Sequence, residues 1–500
     1  MAKTADKTSP KPSQKTKKSS NPGFFDFIKN REHLIEVGIL SALYVVVLIF
    51  LKVAYPYPQT ETDSGNYILS AATGKINGYR PFGYSGFLAF FHSLSGNVTF
   101  VIVWQWLFTW LSGTSFLMSL RYFFRQLPRP LFWVLALMIV FNPSLIYMDA
   151  YLMSDSLFVS LTLLFITTGM WMVYNHNYLM AVLNLWLLWE CMDVRYIGLF
   201  YPAFSAAFLA MSFWPRMRFF ALGLMVIPAV ILFLYRSGAT ERMQEEFGVE
   251  TFSSFGGWQK ANNAVAMIPE IKKENLVADD PDVRFIHEIV KQFPDSSFST
   301  DKIMATDFMW TKTAPGKQCL FQYIQQTNTP YMKAWTYMGM KMQDYGDWLE
   351  RTHRAAYFRN FVLKNVPNVF KVFEINEYPS FAADANMKSF FTVDRDTYTY
   401  QRAWFKSLTG IRQIADTLFW LLFFGGVLGY GWLVFRQQIS RSAILLAGSL
   451  IAFVLAFAAA SVYAAPINNF RYMMPIYCFQ VAIPVIITSL FLSSDKKVIA

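Results

Sequence analysis

The sequence predicts an all-α polytopic membrane protein with about ten transmembrane helices and one inserted, mainly helical domain. Of its 500 residues, 54% are apolar, 18% are aromatic and only 15% are charged. Soluble domains carry about 25% charged residues. The shortfall here lies in apolar runs of about 20 residues, the length that spans a bilayer as a helix. Basic loops between these runs assign them one consistent orientation.

Ten apolar segments have the length and composition expected of a spanning helix. They lie at about 35–54, 98–120, 130–147, 155–174, 178–190, 195–213, 218–236, 413–435, 441–464 and 471–492. The fifth and sixth segments are short and are separated by only a few polar residues. No internal repeat is evident, which disfavours transporter folds that are built from repeated halves.

The net charge of +11 follows the predicted topology and not a groove for nucleic acid. Much of this charge lies in the N-terminal tail and in short loops at 121–129, 214–218 and 436–441. Loops rich in Lys and Arg stay in the cytoplasm. An even number of spans then places both termini in the cytoplasm, and the expected location is the inner (plasma) membrane.

The chain divides into four predicted parts. Residues 1–23 form a basic, disordered cytoplasmic tail, because they contain almost no large apolar side chain. Residues 24–236 form an N-terminal module of about seven helices, with a first outer loop at 55–97. Residues 237–412 form an extracytoplasmic (periplasmic) domain with helices expected around 282–293, 330–350 and 351–372. Residues 413–500 form the last three spans and a short tail.

Charged residues in or beside the predicted spans cluster on the outer side. A charge at the centre of a spanning helix costs about 2.5–3.5 kcal/mol, so such residues are functional candidates. They are Asp63, Arg80, Asp149, Asp155, Glu190, Asp193, Arg195 and Arg471. Their convergence predicts a site for a phosphorylated, membrane-bound substrate. The alternative is a set of ion pairs that holds outer helix ends together, such as Arg195 with Glu190 or Asp193.

Individual residues suggest roles in such a site. Asp63 could act as a general base, or cap the N-terminus of a helix. Arg80 and Arg471 suit bidentate contacts to phosphate, although Arg471 could also extend its charge to the interface. Asp149 and Asp155 could bind a divalent ion, but they lack a clear spacing of hard ligands.

Two features outside this cluster leave alternatives open. In the large domain, Gly256–Gln259 and Asn262-Asn263 could line an acceptor groove, whereas Trp258 itself is expected in the core. The cysteines, Cys191, Cys319 and Cys478, show no metal-ligand spacing. A Cys191–Cys319 disulfide is possible if both lie on one side of the membrane, and Cys478 is expected to be buried in an apolar helix.

The order of five motifs resembles the GT-C superfamily, the polytopic glycosyltransferases that use lipid-phosphate-linked sugars. It is most similar to bacterial relatives of the dolichyl-phosphate-mannose protein mannosyltransferases, over about residues 35–215 and, weakly, 441–490. The motifs are Asp63 with Tyr67; Arg80-Pro81-Phe82-Gly83-Tyr84; Asn142-Pro143 through Asp155; Arg195-Tyr196-Ile197-Gly198; and Arg471-Tyr472-Met473-Met474-Pro475. The family often has paired acids in the first loop, whereas here Glu61 and Asp63 are two residues apart.

The resemblance implies an inverting enzyme that moves a sugar from a polyprenyl-phosphate donor to an extracytoplasmic glycan, lipid or protein. Asp63 maps onto the catalytic base and Arg471 onto the contact to the lipid phosphate, and no metal cofactor is implied. The expected substrate-binding residues are Tyr67, Arg80, Tyr84, Asp149, Asp155, Arg195, Arg471 and Tyr472. Two alternatives remain: a surface-polysaccharide polymerase or ligase that uses a lipid-diphosphate donor, and a transporter or flippase.

Overall fold

The computed structural model describes most of the chain. The described residues are 23–215, 217–271, 273, 276–298, 306–370, 380–399, 409–465 and 470–494. Of the disordered tail predicted at 1–23, all residues but Gly23 lie outside them, as do the basic residues Lys496 and Lys497.

The first half of the described chain is entirely helical. Its helices are α1 (Phe24–Ile28), α2 (Arg31–Ala54), α3 (Thr62–Thr73), α4 (Gly83–Leu94), α5 (Val98–Phe123), α6 (Arg129–Ile139), α7 (Pro143–Met148), α8 (Ser154–Asn175), α9 (Tyr178–Val194), α10 (Tyr201–Phe213) and α11 (Arg218–Phe247). A 3₁₀ turn, Tyr196–Phe200, precedes α10. The first outer loop therefore contains two helices, α3 and α4, and α11 continues eleven residues beyond the predicted end of its span.

The second half contains the region at 237–412, which the sequence predicts to be an inserted domain and which is called the inserted domain below, and three further long helices. Its elements are α12 (Ser254–Ala264), α13 (Pro281–Lys291), α14 (Pro315–Thr327), α15 (Tyr331–Thr352), α16 (Arg354–Tyr357), α17 (Leu363–Asn365), β1 (Ser380–Ala382), α18 (Ala385–Phe390), β2 (Thr397–Thr399), α19 (Thr409–Phe435), α20 (Arg441–Ala464) and α21 (Phe470–Ser494). Strands β1 and β2 pair antiparallel, with Phe381 opposite Tyr398. The helices predicted at 282–293 and 330–350 are confirmed, whereas the one at 351–372 is interrupted by π and 3₁₀ turns.

Nine helical segments within the described residues are long and apolar enough to cross a membrane. They are Arg31–Ala54, Val98–Phe123, Arg129–Met148, Ser154–Asn175, Tyr196–Phe213, Arg218–Phe247, Thr417–Phe435, Arg441–Ala464 and Arg471–Leu492. Each coincides with a segment that hydropathy predicted, which confirms an all-α polytopic membrane protein.

The fifth predicted span is the exception. It forms α9, which has 17 residues and is about 25 Å long, shorter than the hydrocarbon core of about 30 Å. The helix is therefore at the short end of the range that can span a bilayer, as the short predicted segment indicated. Helix α9 nevertheless returns the chain to the end at which α8 begins, because Ser154 of α8 and Val194 of α9 line the same cavity.

Side-chain contacts mark the opposite end of the helical bundle. Arg121, near the end of α5, donates a 3.3 Å hydrogen bond to Glu36 near the start of α2. Phe24 of α1 packs edge-on against Trp171 near the end of α8, with ring centroids 4.8 Å apart. The N-terminal helices and the loop that follows Arg121 thus lie together, away from the cavity.

The inserted domain is built around a close contact between α12 and α15. A Cβ atom added to Gly257 would lie only 1.8 Å from the carbonyl oxygen of Gly339, so these backbones touch. Trp258 is fully buried and stacks on Trp335 with ring centroids 4.2 Å apart, which confirms its predicted place in the core. The Asn263 amide donates a 3.1 Å bond to the Ala464 carbonyl and so ties the domain to α20.

The cysteines are all free and buried. Cys191 packs inside the helical bundle on α9, whereas Cys319 is buried on α14 of the inserted domain, so the alternative of a Cys191–Cys319 disulfide is wrong. Cys478 is buried in α21, as its apolar surroundings predicted.

Candidate functional site

A cavity of about 550 Å³ lies where the helical bundle meets the inserted domain. Its walls come from the first outer loop, the end of α9 with the following 3₁₀ turn, the end of α20, the start of α21, and helices α12 and α15. Six of the nine predicted site residues line it: Asp63, Tyr67, Arg80, Arg195, Arg471 and Tyr472. The structure thus brings together residues that are more than 400 positions apart in the sequence.

Asp63 lies in the first turn of α3 and faces an arginine. The N-cap of α3 is Glu61, which has extended backbone geometry and donates its backbone N–H to Ser64 Oγ at 3.0 Å. The alternative in which Asp63 caps the helix is therefore wrong. Instead, Asp63 Oδ2 accepts a 2.9 Å hydrogen bond from Arg80 Nη2.

Arg80 joins the first outer loop to the inserted domain. Its guanidinium lies 4.8 Å from the ring centroid of Phe255 in α12 while it bonds to Asp63. Burial acts to lower the pKa of Arg80, but the Asp63 carboxylate together with the nearby Tyr67 and Tyr472 hydroxyls outweighs burial, so the pKa of Arg80 is raised. Arg80 is therefore a fixed positive charge at the cavity wall.

Glycines in two of the motifs allow close backbone contacts beside the cavity. A Cβ atom on Gly83 would lie 2.6 Å from the Asp193 carbonyl oxygen, and one on Gly198 would lie 2.7 Å from the Cys191 carbonyl oxygen. Any larger residue would push α4 or the 3₁₀ turn away from the end of α9. These glycines therefore set the positions of the arginines that neighbour them in sequence.

Asp155 binds the two other arginines of the cavity. Its side chain is 1% exposed, and it accepts bonds of 3.2 Å and 2.9 Å from Arg471 Nε and Nη2. Its Oδ1 also accepts a short bond from Arg195 Nη1. Asp155 itself is not among the cavity-lining residues, so the structure gives it the position of an anchor behind the wall.

The pairing of Arg195 differs from the local ion pair expected from the sequence. The alternative with Glu190 or Asp193 is wrong, because α9 ends at Val194 and Arg195 adopts an extended backbone. That geometry directs the side chain across to the start of α8, where Asp155 lies. Arg195 also lies 5.6 Å from the ring centroid of Tyr472, which lines the same cavity.

Tyr67 lies at the cavity, whereas Tyr84 and Asp149 lie behind it. The Tyr67 hydroxyl is 2.9 Å from Ser154 Oγ, and its ring meets Tyr84 edge-on at 4.9 Å. Tyr84 is fully buried and donates a 2.6 Å bond to Gln105 Oε1. Asp149 is also fully buried and accepts a 2.8 Å bond from the hydroxyl of Thr109. Both residues therefore support the wall from inside the bundle.

The inserted domain supplies a polar wall. Gly256, Gln259 and Asn263, from the segments that sequence reasoning suggested for an acceptor groove, line the cavity together with Lys260 and Gln343, which it missed. The spacing 256, 259, 260, 263 is that of one helical face, and this signal could have identified Lys260. Lys260 Nζ bonds to Glu350 and lies 3.5 Å from Asp347 Oδ1.

Within the described residues, no three or more His, Cys, Asp and Glu side chains come together as a metal site. Asp155 bonds to two guanidinium groups, and Asp149 bonds to the Thr109 hydroxyl. These contacts give the divalent-ion alternative no support.

Comparison of the chain with known protein families, with curated proteins and with solved structures finds no match. The resemblance to the GT-C superfamily therefore stays a hypothesis that rests on motif order.

Proposed function

We propose that the protein is an inverting glycosyltransferase that uses a polyprenyl-phosphate sugar as donor and needs no metal. The observation that carries the proposal is the composition of the cavity: one carboxylate, Asp63, faces a space that also holds Arg80, Arg195 and Arg471. A carboxylate can accept a proton, and fixed guanidinium groups can bind a phosphate.

The arginines supply the phosphate contacts. A guanidinium has five N–H donors, and Asp155 uses only some of those on Arg195. The remaining donors can bind the donor phosphate and stabilise the charge that it gains as it leaves. Among the described residues, three arginines line this cavity, and two carboxylates, Asp63 and Asp155, bind to them.

Apolar residues line another part of the same cavity. Ile197, Leu199 and Phe200 of the 3₁₀ turn and Ala460 of α20 contribute to its wall. Their chemistry suits the first isoprene units of a lipid chain, next to the arginines that would bind its phosphate. This combination favours a lipid-linked donor over a soluble nucleotide sugar.

Asp63 is the proposed general base. Its Oδ2 accepts the bond from Arg80, so Oδ1 can take the proton from an acceptor hydroxyl. The hydroxyl oxygen then bonds to C1 of the sugar while the bond from C1 to the phosphate oxygen breaks, and that oxygen keeps the electron pair. Attack opposite to the leaving phosphate inverts the configuration at C1.

The proposed location is the inner (plasma) membrane, with both termini cytoplasmic and the domain at 237–412 outside. Its support is that the basic loop after Arg121 and the cavity lie at opposite ends of the bundle. Such loops stay in the cytoplasm. The acceptor would then be an extracytoplasmic glycan, lipid or protein.

The test supplies the purified full-length protein in lipid nanodiscs with radiolabelled polyprenyl-monophosphate and polyprenyl-diphosphate sugars, together with membrane glycans. We expect transfer from a monophosphate donor, with an inverted anomeric configuration in the product and full activity in chelator. Transfer from diphosphate donors alone would favour the polymerase or ligase alternative. Movement of intact donor across the bilayer without cleavage would favour the flippase alternative.

A further inference from the structure

The two walls of the cavity differ in charge. The described lining residues of the bundle wall include three arginines, Arg80, Arg195 and Arg471, and one carboxylate, Asp63. On the wall from the inserted domain, Lys260 is the one cation among the described lining residues. It is compensated by Glu350 and Asp347, whose carboxylates both lie within 3.5 Å of its Nζ. This second wall therefore offers no excess positive charge to an anionic ligand.

The amide side chains of the second wall keep hydrogen-bond acceptors for a ligand. Gln343 Nε2 donates a 3.0 Å bond to Asp347 Oδ2, and Gln259 Nε2 donates a bond to the Ala464 carbonyl. Both contacts use the amide nitrogen and leave the carbonyl oxygen. Carbonyl oxygens accept hydrogen bonds from hydroxyl groups. Because the side chains of Gln343 and Gln259 line one cavity, their carbonyl oxygens suit a ligand that is rich in hydroxyl groups.

Tyr463 adds an aromatic surface to this wall. Tyr463 is 48% exposed, and two contacts fix the position of its side chain. Its hydroxyl donates a 2.5 Å bond to Glu350 Oε1, and its ring meets Tyr357 edge-on with centroids 5.9 Å apart. The ring is thus held in place, with Lys260 Nζ 5.7 Å from its centroid, and it lines the cavity. An aromatic face with negative potential packs well against the C–H groups of a sugar ring.

We infer that this wall binds the acceptor, and that the part of the acceptor bound here is an uncharged sugar ring that stacks on Tyr463. The inference rests on the proposed function and adds the chemical class of its acceptor. It follows from the asymmetry of the cavity: positive charge faces the donor phosphate on one side, and compensated charge, amides and an open aromatic ring lie on the other. Glycans with acidic sugars at the acceptor end would bind poorly, because the Lys260 charge on this wall is already compensated by Glu350 and Asp347.

The test measures acceptor kinetics and direct binding with the full-length protein in nanodiscs. The probes are neutral disaccharide glycosides and their uronic-acid counterparts, and the variants are Tyr463→Ala, Tyr463→Trp and Gln343→Ala. We expect Tyr463→Ala to raise the acceptor KM about tenfold, with kcat at saturating acceptor changed less than twofold. Tyr463→Trp should restore most of the affinity, and Gln343→Ala should raise KM about fivefold.

Tyr178→Ala is the matched control, because Tyr178 is also an exposed tyrosine. It is the first residue of α9, and the helix rises about 24 Å from Tyr178 to Val194, which lines the cavity. This substitution should change neither constant. Two results would overturn the inference. One is stronger binding of uronic-acid glycosides than of neutral glycosides. The other is a Tyr463→Ala variant whose kcat falls about tenfold while its acceptor KM stays unchanged. Direct binding separates this inference from the proposed function. Binding of neutral glycans that depends on Tyr463 supports the inference even if no donor is cleaved. Donor cleavage without such binding contradicts the inference and leaves the proposed function standing.

Discussion

Replacing Asp155 by Asn tests the anchor that holds two of the three cavity arginines. Asn has nearly the same shape, so the change removes charge and leaves no cavity in the packing. Asp155 is buried at the start of α8 and receives bonds from Arg195 in the turn after α9 and from Arg471 at the start of α21. The substitution therefore loosens three elements of the site at once.

The size of the effect follows from the burial of the pairs. Removing one partner of a buried ion pair costs about 3–5 kcal/mol, because it leaves a buried charge without compensation. The Arg471 side chain is 32% exposed and the Arg195 side chain 15%, so water can compensate part of the charge. We therefore expect the lower end, a loss of about 3 kcal/mol in the free energy of unfolding, or about a hundredfold in the folding equilibrium constant.

The assay is denaturant unfolding in detergent micelles, combined with donor binding by the folded fraction. Affinity for a polyprenyl-phosphate donor should fall about tenfold or more, since the two arginines that we propose to bind the phosphate lose their orientation. Asp63→Asn is the matched control, because the Asp63–Arg80 pair is about a quarter exposed and its loss should cost less than about 1 kcal/mol of stability. An Asp155→Asn protein as stable as wild type, with unchanged donor affinity, would refute the anchoring argument.

Two further predictions concern the framework around the site. Gly83→Ala should destabilise the fold by about 1–3 kcal/mol and reduce transfer, because the new methyl group would meet the Asp193 carbonyl. Gly223→Ala on α11 is the control and should be neutral or slightly stabilising, because a Cβ atom there has open space. The unfolding midpoints of both variants measure the change in stability. Burial lowers the pKa of His287, so the unfolded chain takes up a proton that the folded domain does not, and stability should fall as pH drops below about 6.5. His287→Gln should weaken this dependence in unfolding curves at pH 5.5 and 7.5, and an unchanged slope would contradict the assignment.

The membrane architecture could be predicted from the sequence because apolar length is a local property. Nine candidate spans within the described part of the chain coincide with predicted segments, and the remaining predicted segment, at 178–190, forms a helix of 17 residues. The secondary structure of the inserted domain could be predicted less completely. Helices α13 and α15 have strong helical patterns in the sequence. The region from 354 to 370 changes helix type several times, because tertiary contacts and not local propensity determine its conformation.

The candidate site, too, could be predicted from the sequence only in part. The clustering of Asp63, Arg80, Arg195 and Arg471 at one cavity was predictable, because charges beside spans need partners or a function. The partner of Arg195 was not, since Asp155 is 40 positions away and reaches it only through the antiparallel packing of α8 and α9. The position of Tyr463 was also hidden, because at the end of an apolar helix it looks like an interfacial anchor.

The most direct measurement is transfer of radiolabelled sugar from a panel of polyprenyl-monophosphate donors into membrane glycans, with wild type compared with Asp63→Asn, each with and without chelator. Label should move with wild type in both conditions and fall at least a hundredfold with Asp63→Asn, which retains its fold. A folded Asp63→Asn protein that keeps full transfer activity would contradict the role of Asp63 as the base.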